Sequence, residues 1–184
     1  MDMNKIMECV QEAECLITEA EMNLMEKVNT IDLLDVTANN TMGYVLKRRL
    51  QCSIYFSVNN FRLFNPEQFR DLCCRSMYLG KTRVTTRHVE DLIIKWRNSD
   101  EKLGEGVKNI KFFEIEVQGG VQNFDFLRVG AQPKGRVQRP NKFTEYSFDY
   151  DFTNAFDIIH QDDTLASLSA DEVLDRVMFV VWNR

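Results

Sequence analysis

The stretch Val107–Phe152 contains VKNIKFFEIEV (107–117), the pair Gly119-Gly120, VQNFDFLRV (121–129), a loop, and FTEYSFDYDF (143–152). Two apolar, aromatic runs separated by glycines predict a hairpin, and the last run predicts a third strand. That third strand gives the clearest signal in the chain. Tyr146, Phe148, Tyr150 and Phe152 fall on one face and Ser147, Asp149 and Asp151 on the other, because successive side chains of a strand point to opposite sides. One face therefore has to be covered. The material before residue 100 and after residue 163 patterns as helix and is available to cover it. The expected fold class is α+β: N-terminal helices, the first long and amphipathic, packed on an antiparallel sheet of about three to five strands, with a C-terminal helix and strand. Residues 1–40 read as an acidic amphipathic helix and hinge. Residues 41–184 read as a single α+β domain, with a basic helical half over 43–97 and a strand-rich half over 107–184. The adjacent aromatics Phe112-Phe113, and Phe124 with Phe126-Leu127, imply a sheet apolar on both faces, which needs cover on both sides or a neighbouring subunit on one.

A chain of 184 residues suits one domain, and 44% apolar with 28% charged residues excludes wholesale disorder. No apolar run approaches the ~20 residues that span a bilayer, and MDMNKIMECVQEAE lacks a signal-peptide core. The expectation is a soluble protein with no membrane partner, not secreted, located in the cytoplasm, the nucleus or a particle. Its five cysteines are odd in number and follow no framework spacing, which points to free thiols in a reducing compartment. Cys73 and Cys74 point in different directions on a helix and no second pair completes a zinc set, so they read as core rather than metal ligands. The net charge of −5 conceals a segregation. Residues 1–42 hold nine acids and two bases, residues 43–97 eleven bases and four acids, and residues 98–184 ten bases and fifteen acids. A basic middle between acidic flanks can meet nucleic acid or an anionic partner, or be neutralised by the chain's own acids or a neighbour's.

In chain order, Met3, Ile6, Val10, Ala13, Ile17, Ala20 and Leu24 form a heptad stripe on a helix over 3–28, flanked by glutamates. These residues are candidate oligomer contacts. NTIDLLDVTANN (29–40) reads as a hinge. GYVLKRRLQCSIYFS (43–57) reads as a short helix carrying Lys47, Arg48 and Arg49. Pro66 opens a predicted helix, PEQFRDLCCRSMYL, that Gly80 ends. A further helix, capped by Thr85 or Thr86, has Val89, Leu92, Ile93 and Trp96 on its apolar face. GAQPKGRVQRPNK (130–142) carries Lys134, Arg136, Arg139 and Lys142 without an acid and reads as a mobile basic loop. Ser169 with Glu172 matches a capping box, predicting a helix through Val173, Leu174 and Val177. MFVVW then predicts a strand on a sheet edge of its own or a neighbouring subunit, with Phe179 and Val181 as further oligomer contacts.

The segment from Lys81-Thr82-Arg83 through Val84-Thr85-Thr86-Arg87-His88-Val89, with Arg97-Asn98, Asp100-Glu101, Leu103, Gly106-Val107 and Gly119-Gly120-Val121, resembles the second loop, third helix and C-terminal extension of the type two-A core histone. In that family the Lys-Thr-Arg loop lies against the DNA backbone with its arginine in the minor groove. The resemblance, over residues 81–121, implies that Lys81, Thr82 and Arg83 contact DNA. The chain differs from the family in having Asn59-Asn60 and Pro66 where a long central helix stands, and an acidic first helix in place of a basic tail. Cations at a helix start oppose its dipole, so an anion is expected near Arg83 and Arg87.

No phosphate-cradling motif is present, and neither His88 nor His160 can be placed in a triad. Asp149 and Asp151, near Asp157, Asp162 and Asp163, are the one set that suggests a divalent cation and a metal-dependent hydrolase. The alternation of a half-exposed strand explains them equally, so no catalytic residue, metal or cofactor is expected. The leading expectation is a non-enzymatic structural or assembly protein, a homo-oligomer or a subunit of a larger particle, a viral one included. The alternative is a nucleic-acid-binding module whose phosphate contacts come from Lys47, Arg48, Arg49, Lys81, Thr82, Arg83 and Arg87, joined by the loop cations Lys134, Arg136, Arg139 and Lys142.

Overall fold

The computed structural model describes residues 31–36, 52–58, 66–69, 74–102, 105–135, 138–145 and 148–182. The helix expected over 3–28, with Met3, Ile6, Val10, Ala13, Ile17, Ala20 and Leu24, lies outside them, as do Lys47, Arg48, Arg49 and Arg136. The architecture is dominated by strands, which corrects the expectation of several helices on a sheet of three to five strands. The described residues form ten strands: β1 (Ile31–Val36), β2 (Cys52–Val58), β3 (Ser76–Leu79), β4 (Phe112–Glu116), β5 (Gln132–Pro133), β6 (Lys142–Glu145), β7 (Phe148–Asp151), β8 (Phe156–Ile159), β9 (Leu165–Asp171) and β10 (Arg176–Val181). Helix α1 is a single turn, Pro66–Phe69, and α2 runs Thr86–Arg97.

One eight-stranded sheet has the order β1-β2-β3-β4-β10-β9-β8-β5, and β6 and β7 form a separate hairpin. The sheet is mixed rather than antiparallel. Strands β1 to β4 are parallel neighbours, and from β4 onward β10, β9, β8 and β5 pair antiparallel. Parallel neighbours require a crossover, and α2 supplies the one between β3 and β4. The supposed hinge thus contributes β1, and the supposed helical half contributes β2 and β3.

Helix α2 forms where the sequence predicts it. Thr85 occupies the N-cap in an extended conformation and its amide donates to His88 Nδ1 at 3.1 Å. Val89, Leu92, Ile93 and Trp96 recur at three- and four-residue spacing, and all four are buried. They pack on one sheet face, formed by Met77 and Leu79 of β3, Phe113 and Ile115 of β4, and Val177, Phe179 and Val181 of β10. Phe179 stacks on Phe113 with ring centroids 5.0 Å apart and meets Trp96 edge-on at 5.1 Å. Residues 121–130, expected as the second strand of a hairpin, are instead a series of turns whose Val121, Phe124 and Val129 are buried in this same layer.

The alternate residues of the same strands face the other way. Phe112, Val180 and Trp182 are covered by the β6–β7 hairpin, with Phe143, Tyr150 and Phe152 as the covering rings. The sheet is apolar on both faces, as its adjacent phenylalanines predict, and the chain covers one face with α2 and half of the other with a hairpin. The predicted C-terminal helix is absent. Ser169 lies within β9, and Asp171 Oδ1 accepts from the amides of Val173 and Leu174, closing the turn into β10.

Candidate functional site

Among the described residues, the second sheet face beyond the hairpin forms a cleft of about 880 Å³. Its floor crosses five adjacent strands, through Tyr55 of β2, Tyr78 of β3, Glu114 and Glu116 of β4, Arg176 and Met178 of β10, and Ser169 and Asp171 of β9. Strand β7 forms one wall with Phe148, Asp149, Tyr150 and Asp151, and the β9–β10 turn forms another with Glu172 and Leu174. Pleating places these residues together: they occupy the strand positions that alternate with the core.

The electrostatics of the cleft are one-sided. Among the described residues that line it, Arg176 is the single cation and is ion-paired with Glu114. Among the described residues, Glu116, Asp149, Asp151, Asp171 and Glu172 make no ion pair, although three of them hold the local backbone and hairpin: Asp149 accepts from the Thr144 hydroxyl at 2.7 Å, Asp151 from the Thr153 amide at 2.8 Å, and Asp171 caps its turn. The bond from Thr153 also holds the Asp151 carboxyl below its ordinary range. The floor is aromatic, with Tyr55 and Tyr78 rings 5.5 Å apart and Tyr78 5.3 Å from Phe112. Burial pushes the Tyr150 phenol up to about 12, with the Glu114 carboxylate adding to the rise, and burial raises Tyr78 as well. At neutral pH the two phenols are therefore neutral hydroxyls rather than bases or nucleophiles. The rim is apolar and exposed: Phe148 is 65% exposed, Leu174 51% and its neighbour Val173 90%.

The residues singled out from sequence fare differently. Lys81 and Arg83 are exposed on the loop between β3 and α2, and Lys81 adopts a left-handed φ of 45°. Thr82 between them is buried, donating to the Glu116 carbonyl at 2.6 Å and accepting from the Val84 amide at 3.0 Å, so it fixes the loop rather than presenting itself to a ligand. The anion expected near Arg87 is a pair of protein carboxylates, Glu90 at 3.8 Å and Asp91 at 3.9 Å on the same helix, which Arg128 also engages. Lys142 is exposed at the start of β6, and Lys134 is exposed just after β5. Arg139 is not on a free loop: its side chain is wholly buried against Asp157, and it donates to the carbonyls of Pro140, Phe152 and Ala155. Four of its five N–H donors are used in this way and the side chain is buried, so it does not present itself to a polyanion.

Phe179 and Val181, expected at a subunit contact, are 0% and 4% exposed in an interior strand. Asp149 and Asp151 share the cleft, but Asp157 turns to Arg139 and Asp162 to Lys108 and His160, so the five aspartates do not converge. Among the described residues, no three candidate ligands gather as a metal site. Sequence reading missed Tyr55, Tyr78, Glu114 and Arg176 as site residues, since they come from four strands and no local motif joins them.

No protein-family model matches the chain. No curated protein matches it, and no solved structure does so. Among the described residues, no helix is long and apolar enough to cross a membrane.

Proposed function

We propose that the protein is a non-enzymatic assembly protein that associates with copies of itself, as a homo-oligomer or as a subunit of a larger particle, through the open half of its second sheet face. The observation that carries this reading is the exposed apolar rim of Phe148, Val173 and Leu174 around a floor that the hairpin leaves uncovered. Exposed apolar groups that cluster at a concave surface are a mark of interaction sites, whereas singly scattered ones are not. The neutral phenols and the cleft's carboxylates suit binding better than acid–base chemistry. A stable interface buries roughly 800 Å² per partner, so the cleft would form its centre and the surrounding turns its edge.

Light scattering coupled to size-exclusion chromatography tests this reading on the whole chain, run across a salt series with and without a short DNA duplex. A discrete oligomer indifferent to DNA, reduced to monomer by Phe148→Ser with Leu174→Ser, is the expected result. A chain that is monomeric under every condition would overturn it. A second reading, nucleic-acid binding through a histone-like loop, draws on the exposed Lys81 and Arg83, which make no ion pair among the described residues. Binding of the duplex at low salt, released at high salt and weakened by Arg83→Ala, would favour that reading instead.

A further inference from the structure

Resting on the docking reading above, we infer that the cleft receives an extended segment of a partner polypeptide in which basic and apolar side chains alternate. The charge balance selects the basic component. Among the described residues, five carboxylates of the cleft make no ion pair, and the one cation in its lining is already paired with Glu114. The cations Lys81 and Arg83 follow Gly80 at the end of β3. The remaining negative charge lies on β7 and the β9–β10 turn, around Asp149, Asp151, Asp171 and Glu172, with Lys142 opposite Asp151 in the hairpin. Like charges held together in this way cost the free chain energy, which a cationic occupant relieves.

The apolar component follows from the rim and the floor. Phe148 and Leu174 stand exposed on facing walls, and an occupant that neutralised the carboxylates alone would leave both in water. The tyrosine floor serves both kinds of side chain, because an aromatic face takes a methylene stem by contact and a cation by its quadrupole. Length follows from geometry. Five strands at the usual spacing of about 4.8 Å make a floor roughly 19 Å across, which an extended chain covers in about six residues. Alternation is required because an extended segment presents successive side chains to opposite sides. Each wall carries both kinds of group, Phe148 beside Asp149 and Asp151 on β7 and Leu174 beside Asp171 and Glu172 on the turn, so alternate side chains meet an apolar and an acidic group in turn.

Fluorescence anisotropy with the full chain tests the inference. The probes are three fluorescein-labelled peptides of that length, alternating lysine, serine or glutamate with leucine. The lysine–leucine peptide is expected to bind best. Asp149→Asn with Glu172→Gln should weaken it about tenfold, since both carboxylates are exposed and each contributes modestly. Asp100→Asn with Glu105→Gln removes the same charge away from the cleft and is expected to leave binding unchanged. Equal loss in the two double variants would overturn the inference, because the attraction would then belong to the chain's net charge. If the serine–leucine peptide binds as tightly as the lysine peptide and is lost on Phe148→Ser, the charge selection fails while the docking reading stands. If no peptide binds and the chain is also monomeric in solution, both fall.

Discussion

Arg139 and Asp157 show how far a charged residue's role depends on what surrounds it. The Arg139 side chain is fully buried, spans three backbone carbonyls and one carboxylate, and ties the segment before β6 to β8. Ser167 donates to the same carboxylate oxygen at 2.9 Å and itself accepts from the Trp182 indole at 2.8 Å. Removing the cation strands a buried anion, so Arg139→Ala is expected to cost about 3–5 kcal/mol in denaturant unfolding. An exposed loop cation such as Lys134 should cost under about 0.5 kcal/mol when changed to Ala. Charge in a Pro- and Gly-rich loop reads as solvated, and nothing local to Arg139 distinguishes it from Lys134. Its partner Asp157 lies across a hairpin.

The phenols of the cleft set a second expectation at this scale. An unfolded tyrosine ionises near pH 10, whereas burial raises Tyr150 to about 12 and raises Tyr78 too. As pH climbs from about 10 to 12, the unfolded chain gives up protons that the folded chain keeps. The stabilisation is therefore complete below pH 10 and lost progressively above it. Stability measured against pH should fall across that window, and Tyr150→Phe should make the fall shallower. A slope unchanged by the substitution would show that Tyr150 titrates as it does in water.

At the scale of elements, α2 and β10 were legible in the sequence because each carries one unbroken period. Val89, Leu92, Ile93 and Trp96 recur as a helix face, and MFVVW is β-branched and aromatic throughout. Strand β4 is legible as well, although the sequence pairs it with 121–129 and the fold pairs it with β3 and β10. Besides β1, β2 and the single strand expected over 143–152, which forms β6 and β7, three elements differ from expectation for physical reasons. Ser76–Leu79 continues a helical apolar pattern begun at Pro66, yet Met77 and Leu79 also alternate, and the slot between β2 and β4 selects the strand. Ser169 and Glu172 match a capping box, but pairing of β9 with β10 along its length outweighs a short helix's weak intrinsic preference. VQNFDFLRV has the apolar content of a strand and uses it, as turns, to close the helix-side layer. The β6–β7 hairpin rests mainly on its rings, so Phe112, which contacts Phe143 at 5.3 Å and Tyr150 at 4.6 Å, is its anchor in the sheet. Phe112→Ala is expected to destabilise the fold by about 3–5 kcal/mol. Phe148→Ser, on the open side of the same hairpin, should leave unfolding within about 0.5 kcal/mol of the native value.

At the scale of the whole molecule, the two sheet faces decide what is left for a partner. Among the described residues, one is covered by α2 and the turns of 121–130, and the other by the β6–β7 hairpin over part of its extent. The apolar rim of the open part distinguishes it from isolated exposed residues such as Leu127, which is 87% exposed on the helix side of the sheet. Hydroxyl-radical footprinting of the native chain, compared between dilute and concentrated samples, tests the role of this face most directly. The account predicts that Phe148, Val173 and Leu174 lose reactivity as the chain associates while Leu127 stays fully reactive. Association that leaves those three unprotected, or that protects Leu127 in their place, would contradict it.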